Sequence, residues 1–143
     1  MSERPVLNYK CYILLREDLD MPQGKFAVQV GHGLDQVWPL YMDYKERSRK
    51  EDNEDLIMPV SNFEGWYKEG RRKIVLRLKS EDHMNKIKEK IQAEIDSNEY
   101  HPGYFVHDIF DYGFNFFDGL TQTGLIIYPN QTEIAAVKRL RLW

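Results

Sequence analysis

Apolar and polar residues alternate in blocks that outline the chain's elements. Tyr9 to Arg16 is a near-continuous apolar run, which predicts a central strand covered on both faces. From about residue 23 the period changes. Phe26, Val30, Leu34, Val37 and Tyr41 recur at steps of three and four, so the spacing predicts a helix with these residues on one face. Pro39 predicts a stop or kink in it at Trp38. A turn at Glu69-Gly70 precedes a second strand, Ile74 to Leu78. Ser80 to about Ser97 carries the clearest helical pattern. Ser80 suits the N-cap, Glu81 and Asp82 suit the positive dipole end, and Met84, Ile87, Ile91 and Ile95 form one apolar stripe.

Pro102-Gly103 breaks the chain, and Tyr104 to Phe110 predicts a third strand. Gly124 to Tyr128 predicts a fourth, ended by Pro129-Asn130. Thr132 to about Arg139 predicts a short helix with Ile134, Val137 and Leu140 inward, and Arg141 to Trp143 a last edge strand. This order predicts an α/β fold: a three-layer α/β/α arrangement, its mixed four- to five-stranded sheet bearing helices on both faces. Helical crossovers make neighbouring strands parallel, and the short link between the third and fourth strands reverses one. Residues 1–8 read as a flexible arm and residues 9–143 as a single domain.

One stretch breaks the simple pattern. On the first helix Lys25, Gln29, His32 and Gln36 also share a face. A core stripe is normally apolar, and a solvated stripe normally mixes opposite charges. This polar row begins where a strand hands over to a helix, a place that ligands favour in open α/β sheets. Lys25 puts a cation at the helix start, where the dipole is unfavourable, so this start is a candidate anion site.

Composition sets limits. The 143 residues are 42% hydrophobic and 30% charged, ordinary for a globular protein. The formal net charge of −3 argues against a general nucleic-acid binder but leaves room for a local basic patch. Arg71, Arg72 and Lys73 make a basic triplet at the start of the second strand, and residues 42–55 read as a solvated, charge-dense helix end and loop or as a basic contact for an RNA backbone. Cys11 is a lone cysteine in a strand, a core residue rather than a nucleophile. No apolar run approaches the roughly 18 residues of a membrane span, and Met-Ser-Glu-Arg-Pro opens the chain without a signal-peptide core, so cytoplasmic residence is expected. Phosphate-loop, His-Glu-x-x-His, paired-cysteine and Gly-x-Ser-x-Gly signatures do not occur.

Three segments, in order, resemble the type 2 peptidyl-tRNA hydrolase family of archaea and eukaryotes. Met21, Gly24, Lys25, Ala27, Gln29 and His32 stand at the places of its Met-x-x-Gly-Lys-x-Ala-x-Gln-x-x-His segment. Trp66, Gly70 and Lys73 to Leu78 match a second segment. Asp111, Gly113, Thr121, Thr123 and Pro129 match the third, whose pattern starts Asp-Ala-Gly-(Arg/His)-Thr. There the chain departs from the family: Tyr112, Phe114, Asn115, Phe116 and Leu120 replace its usual residues.

The resemblance implies hydrolysis of the ester joining a stalled peptide to the 3′-terminal ribose of tRNA, a homodimer, and no metal or organic cofactor. It implies Lys25, His32, Asp111 and Thr123 as catalytic residues, with Gln29 and Thr121 binding the substrate. At two departing positions Asn115 keeps hydrogen-bonding capacity and Phe114 offers a flat ring, so both join the expected substrate-binding set. Asp111 suits orienting or deprotonating a water, or capping a turn with Gly113. Lys25 suits a terminal phosphate or a developing oxyanion. Phe114, Phe116 and Phe117 suit stacking on unpaired bases, or burial against the sheet or a second subunit. The alternative to an enzyme is an inactive binding module of the same fold, for RNA ends or a protein partner.

Overall fold

The structure is a computed structural model that describes residues 8–143. The arm expected at residues 1–8 lies, except for Asn8, outside the described residues. Four strands form one mixed sheet: β1 (Lys10–Arg16), β2 (Lys73–Leu78), β3 (Val106–Asp111) and β4 (Thr121–Asn130), in the order β2-β1-β4-β3. β1 and β2 are parallel, while β4 runs antiparallel to both β1 and β3. The short β3–β4 link therefore reverses the chain as expected.

Four helices cover the sheet: α1 (Gln23–Leu34), α2 (Val37–Lys50), α3 (Ile57–Lys68) and α4 (Glu81–Asp96). Their faces follow from strand alternation. Asp111 bonds to Gln29 of α1, so the odd-numbered side chains of β3 face α1. Asp108 instead meets Lys88 of α4 on the opposite face. The Tyr128 hydroxyl donates to the Pro59 carbonyl, which puts α3 on the α1 side. α1 lies close enough to the sheet that a Cβ on Gly33 would sit 2.8 Å from Ile109 Cδ1.

The core is the strand interior, Cys11, Ile13, Leu14, Leu15, Leu125, Ile126 and Ile127, sealed by the α4 stripe Met84, Ile87, Ile91 and Ile95. Cys11 is fully buried, and burial pushes its thiol up to about 12, which removes it as a nucleophile. Ser80 caps α4 by accepting the His83 amide. No helix among the described residues is long and apolar enough to cross a membrane.

Several expectations need correction. The first helix ends at Leu34, so Val37 and Tyr41 belong to α2. Pro39 neither stops nor kinks a helix. It sits in the first turn of α2, where amide groups have no intrahelical partner. α3 went unforeseen, because Pro59 and Gly65 mask its period. The expected C-terminal helix is only a 3-10 turn, Ala135–Val137. The fifth strand is only a single bridge, Leu76 to Leu142.

Candidate active site

Three chain segments meet at the carboxyl end of the sheet. The β1–α1 connection brings Lys25, Gln29 and His32, the end of β3 brings Asp111, and the start of β4 brings Thr121 and Thr123. The polar row, not the apolar one, is the deepest face of α1: Gln29 is fully buried, whereas Phe26, Val30 and Leu34 are only partly so.

Asp111 is the hub. Its Oδ2 lies 2.7 Å from Lys25 Nζ and accepts Gln29 Nε2 at 2.8 Å. His32 Nε2 is 3.6 Å from the same oxygen, and the Gly113 amide donates to Oδ1 at 2.7 Å. Asp111 thus caps the turn through the Gly113 amide and faces the Lys25 amine with its other oxygen. Gly113 makes this possible. Its φ of +80° favours glycine, and a Cβ there would collide with the Gly119 backbone. The Lys25 side chain is 12% exposed and that of Asp111 5%, so each charge needs the other. The unfavourable cation at the helix start has its explanation in this partner.

Thr123 enters the cluster through a strand irregularity. Ile109 pairs with Gly124 but Phe110 pairs with Gln122, which leaves Thr123 as an extra residue. Its hydroxyl donates to Gln29 Oε1 at 2.8 Å. A relay results: Thr123 O–H to Gln29 carbonyl, Gln29 amide to Asp111. The opposite amide orientation would face two oxygens toward each other, so both neighbours fix the Gln29 rotamer.

Burial alone would raise the Asp111 carboxyl. The hydrogen bonds from Lys25, Gln29 and Gly113, with the Lys25 charge, more than offset it and hold the group down at about 2. Asp111 is therefore anionic at neutral pH and a very weak base. It holds Lys25, Gln29 and the Gly113 turn in place.

The remaining expected residues lie around this core. Gln36 donates to the Asp108 carbonyl, a purely structural bond. Thr121 donates to the Gly119 carbonyl and braces the turn. Asn115 and Phe114 are exposed on the β3–β4 turn, Phe114 at 90%. Phe117 is half-buried, and Lys25 Nζ lies 5.5 Å from its ring centre. The phenylalanines do not seal the cluster, because the His32 side chain remains 41% exposed at its edge.

Fold and site together define an α/β protein that holds a buried amine–carboxylate pair at the carboxyl end of a mixed sheet. The chain belongs to the family described as peptidyl-tRNA hydrolase PTH2, whose profile matches residues 9–136. It is 32% identical over 83 residues to a peptidyl-tRNA hydrolase of Thermococcus sibiricus, covering 58% of each protein. It is 38% identical over 79 residues to one of Thermoplasma acidophilum, covering 55% of this chain and 56% of that protein. It is 37% identical over 81 residues to one of Sulfurisphaera tokodaii, covering 57% and 59%. The matched stretch thus spans less than two thirds of these relatives' length.

Proposed function

We propose that the chain hydrolyses the ester bond between peptide and tRNA in peptidyl-tRNA, recycling tRNA from stalled translation. One observation carries this: the Lys25 ammonium is fixed 2.7 Å from Asp111 inside a relay of buried polar groups, with an imidazole at the open edge. Ester hydrolysis adds water to the carbonyl carbon, places negative charge on its oxygen, then expels the 3′-hydroxyl of the terminal ribose. Lys25, held in place by Asp111, supplies positive charge to that oxygen without reorganising. His32, at the opening, is placed to accept the water's proton and to return it to the departing ribose oxygen. Gln29 and Thr123 keep Asp111, and through it Lys25, in register. Thr121, Asn115 and Phe114 line the approach and meet the terminal nucleotide.

The same reading takes residues 9–143 as one working domain, in the cytoplasm, binding tRNA. It includes a homodimer, supported by exposed Trp38 and Met42 on α2 and Tyr67 on α3. Release of free tRNA from N-blocked aminoacyl-tRNA tests it. Absence of turnover, at enzyme levels where Lys25→Ala and Asp111→Ala match wild type, rejects hydrolysis. Binding of tRNA without cleavage assigns the binding module instead.

A further inference from the structure

A second cationic region lies outside the cluster. A groove of about 670 Å³ runs between α4 and the C-terminal segment along the β2 edge. Arg77, Lys79, Lys90, Arg139 and Arg141 line it, against the acidic residues Glu17 and Glu94. Arg77 and Glu17 meet each other at 3.6 Å. Glu94 turns inward, accepting the Ala136 amide on Oε1, with Oε2 closed off from solvent. Lys79, Lys90, Arg139 and Arg141 are exposed and form no ion pair among the described residues. On a chain of net charge −3 this is a local excess of unneutralised cations. His83 registers it: burial, then Lys79 and Lys90, push its imidazole below the usual value.

The groove lies on the α4 face of the sheet, opposite the face of the cluster, but reaches the same end of the sheet. It begins at Glu17 and Lys79, directly after β1 and β2, at the sheet end that carries Asp111. Arg77 lies 4.6 Å from the Trp143 ring centre, and Trp143 packs at 4.6 Å on Phe26, the neighbour of Lys25. At 1.5 Å per helical residue, the α4 wall from Glu81 to Lys90 is roughly 14 Å long, room for a short run of backbone phosphates.

We propose that this groove binds the phosphate backbone of the tRNA acceptor arm while the 3′ terminus occupies the Lys25–Asp111 cluster. The proposal rests on the peptidyl-tRNA reading above. The groove supplies affinity and the cluster supplies chemistry. Phosphate neutralisation releases counterions, so the groove's contribution is sequence-independent and falls steeply with salt.

The test compares wild type with Lys90→Gln/Arg139→Gln/Arg141→Gln, whose altered side chains are exposed; thermal melting confirms that the variant folds. Two substrates are used: full-length N-blocked aminoacyl-tRNA and the same ester on a short 3′-terminal oligonucleotide. The variant's KM for the full-length substrate rises about tenfold or more while kcat holds, and its log-affinity versus log-salt slope shrinks by roughly 2 to 3. On the short ester both constants stay at wild-type values. Unchanged tRNA affinity and salt slope overturn the proposal, as does an equal loss on both substrates. So does weakened binding to anionic phosphatidylserine vesicles with tRNA affinity intact. If wild type cleaves neither substrate, the hydrolase reading fails, while gel-shift affinity for uncharged tRNA still decides the groove.

Discussion

The Lys25–Asp111 cluster and the α4 groove both gather positive charge, but under opposite physical conditions. In the cluster one ammonium is nearly buried and pinned by a carboxylate that is itself held by two further donors. In the groove Lys79, Lys90, Arg139 and Arg141 stand in solvent with no ion pair among the described residues. Buried charge costs several kcal/mol in desolvation and persists only with tight partners, so it is rigid and pre-aimed. Exposed charge is cheap to display, mobile and screened by salt. The first arrangement suits stabilising charge at a fixed point, and the second suits holding an extended polyanion. The same residue types thus serve two purposes, and burial decides which.

Lys25→Ala breaks the contrast most severely. It leaves the Asp111 charge buried without its cation, which costs about 3–5 kcal/mol of stability. If Lys25 also meets the developing oxyanion, kcat drops roughly 10²- to 10³-fold. Urea denaturation and turnover of N-blocked aminoacyl-tRNA measure the two effects. A variant as stable and as active as wild type refutes both the buried pair and its role. Next comes Gln29→Leu, which leaves one acceptor site of Asp111 unmet and the Thr123 hydroxyl only its long 3.4 Å bond to the Ile109 carbonyl. Each unsatisfied buried group costs about 1–3 kcal/mol. Full stability in this variant would mean that the relay carries no weight. Neutralising groove cations, in contrast, leaves stability within about 0.5 kcal/mol, because those side chains touch no buried partner.

The legibility of the molecule followed the same division. Elements with a clean period, β1 and the α4 stripe, were readable because burial and sequence spacing coincide. α3 was not, because its proline and glycine look like breakers until tertiary packing against Tyr9 and Tyr128 is known. The polar row on α1 points to Lys25, Gln29 and His32, since it is neither apolar like a core stripe nor of mixed charge like a solvated one. The partner's identity came from the resemblance at Asp111, and the role of Gly113 from its turn. Thr123's inward direction depends on the β3–β4 irregularity, which no alternation pattern reveals. The groove is not legible, because Lys79 and Lys90 come from one stretch of the chain, Arg139 and Arg141 from a distant one, and each looks like an ordinary surface charge.

Acid sharpens the comparison more gently. Asp111 has a folded-state value of about 2 against 3.8 for the free group. Its depressed value means that it contributes stability above the unfolded value, and that this is lost as pH falls. The contribution is complete above roughly pH 5, disappears between about 4 and 2, and amounts to roughly 2 kcal/mol. Urea midpoints measured across that range fall in wild type, and Asp111→Asn lacks this component. The groove behaves otherwise: it responds to salt. An Asp111→Asn variant with the wild-type acid profile would show that the carboxylate is not held as the geometry requires.

Phe114→Ala gives the smallest effect on the fold and the finest test of the cluster's rim. The ring is 90% exposed, so little apolar area returns to water and stability changes by less than about 0.5 kcal/mol. It stands on the turn between Asp111 and Thr121, beside the site where the terminal nucleotide arrives in the proposed reaction. Stacking on one base contributes about 1–3 kcal/mol in single-strand recognition. Removing the ring then raises KM by roughly 5- to 100-fold with kcat unchanged. The loss persists on the short 3′-terminal ester, where groove substitutions have no effect. Equal KM values for Phe114→Ala and wild type on that short substrate would remove the aromatic turn from substrate binding and return it to a role in contacts between protein surfaces.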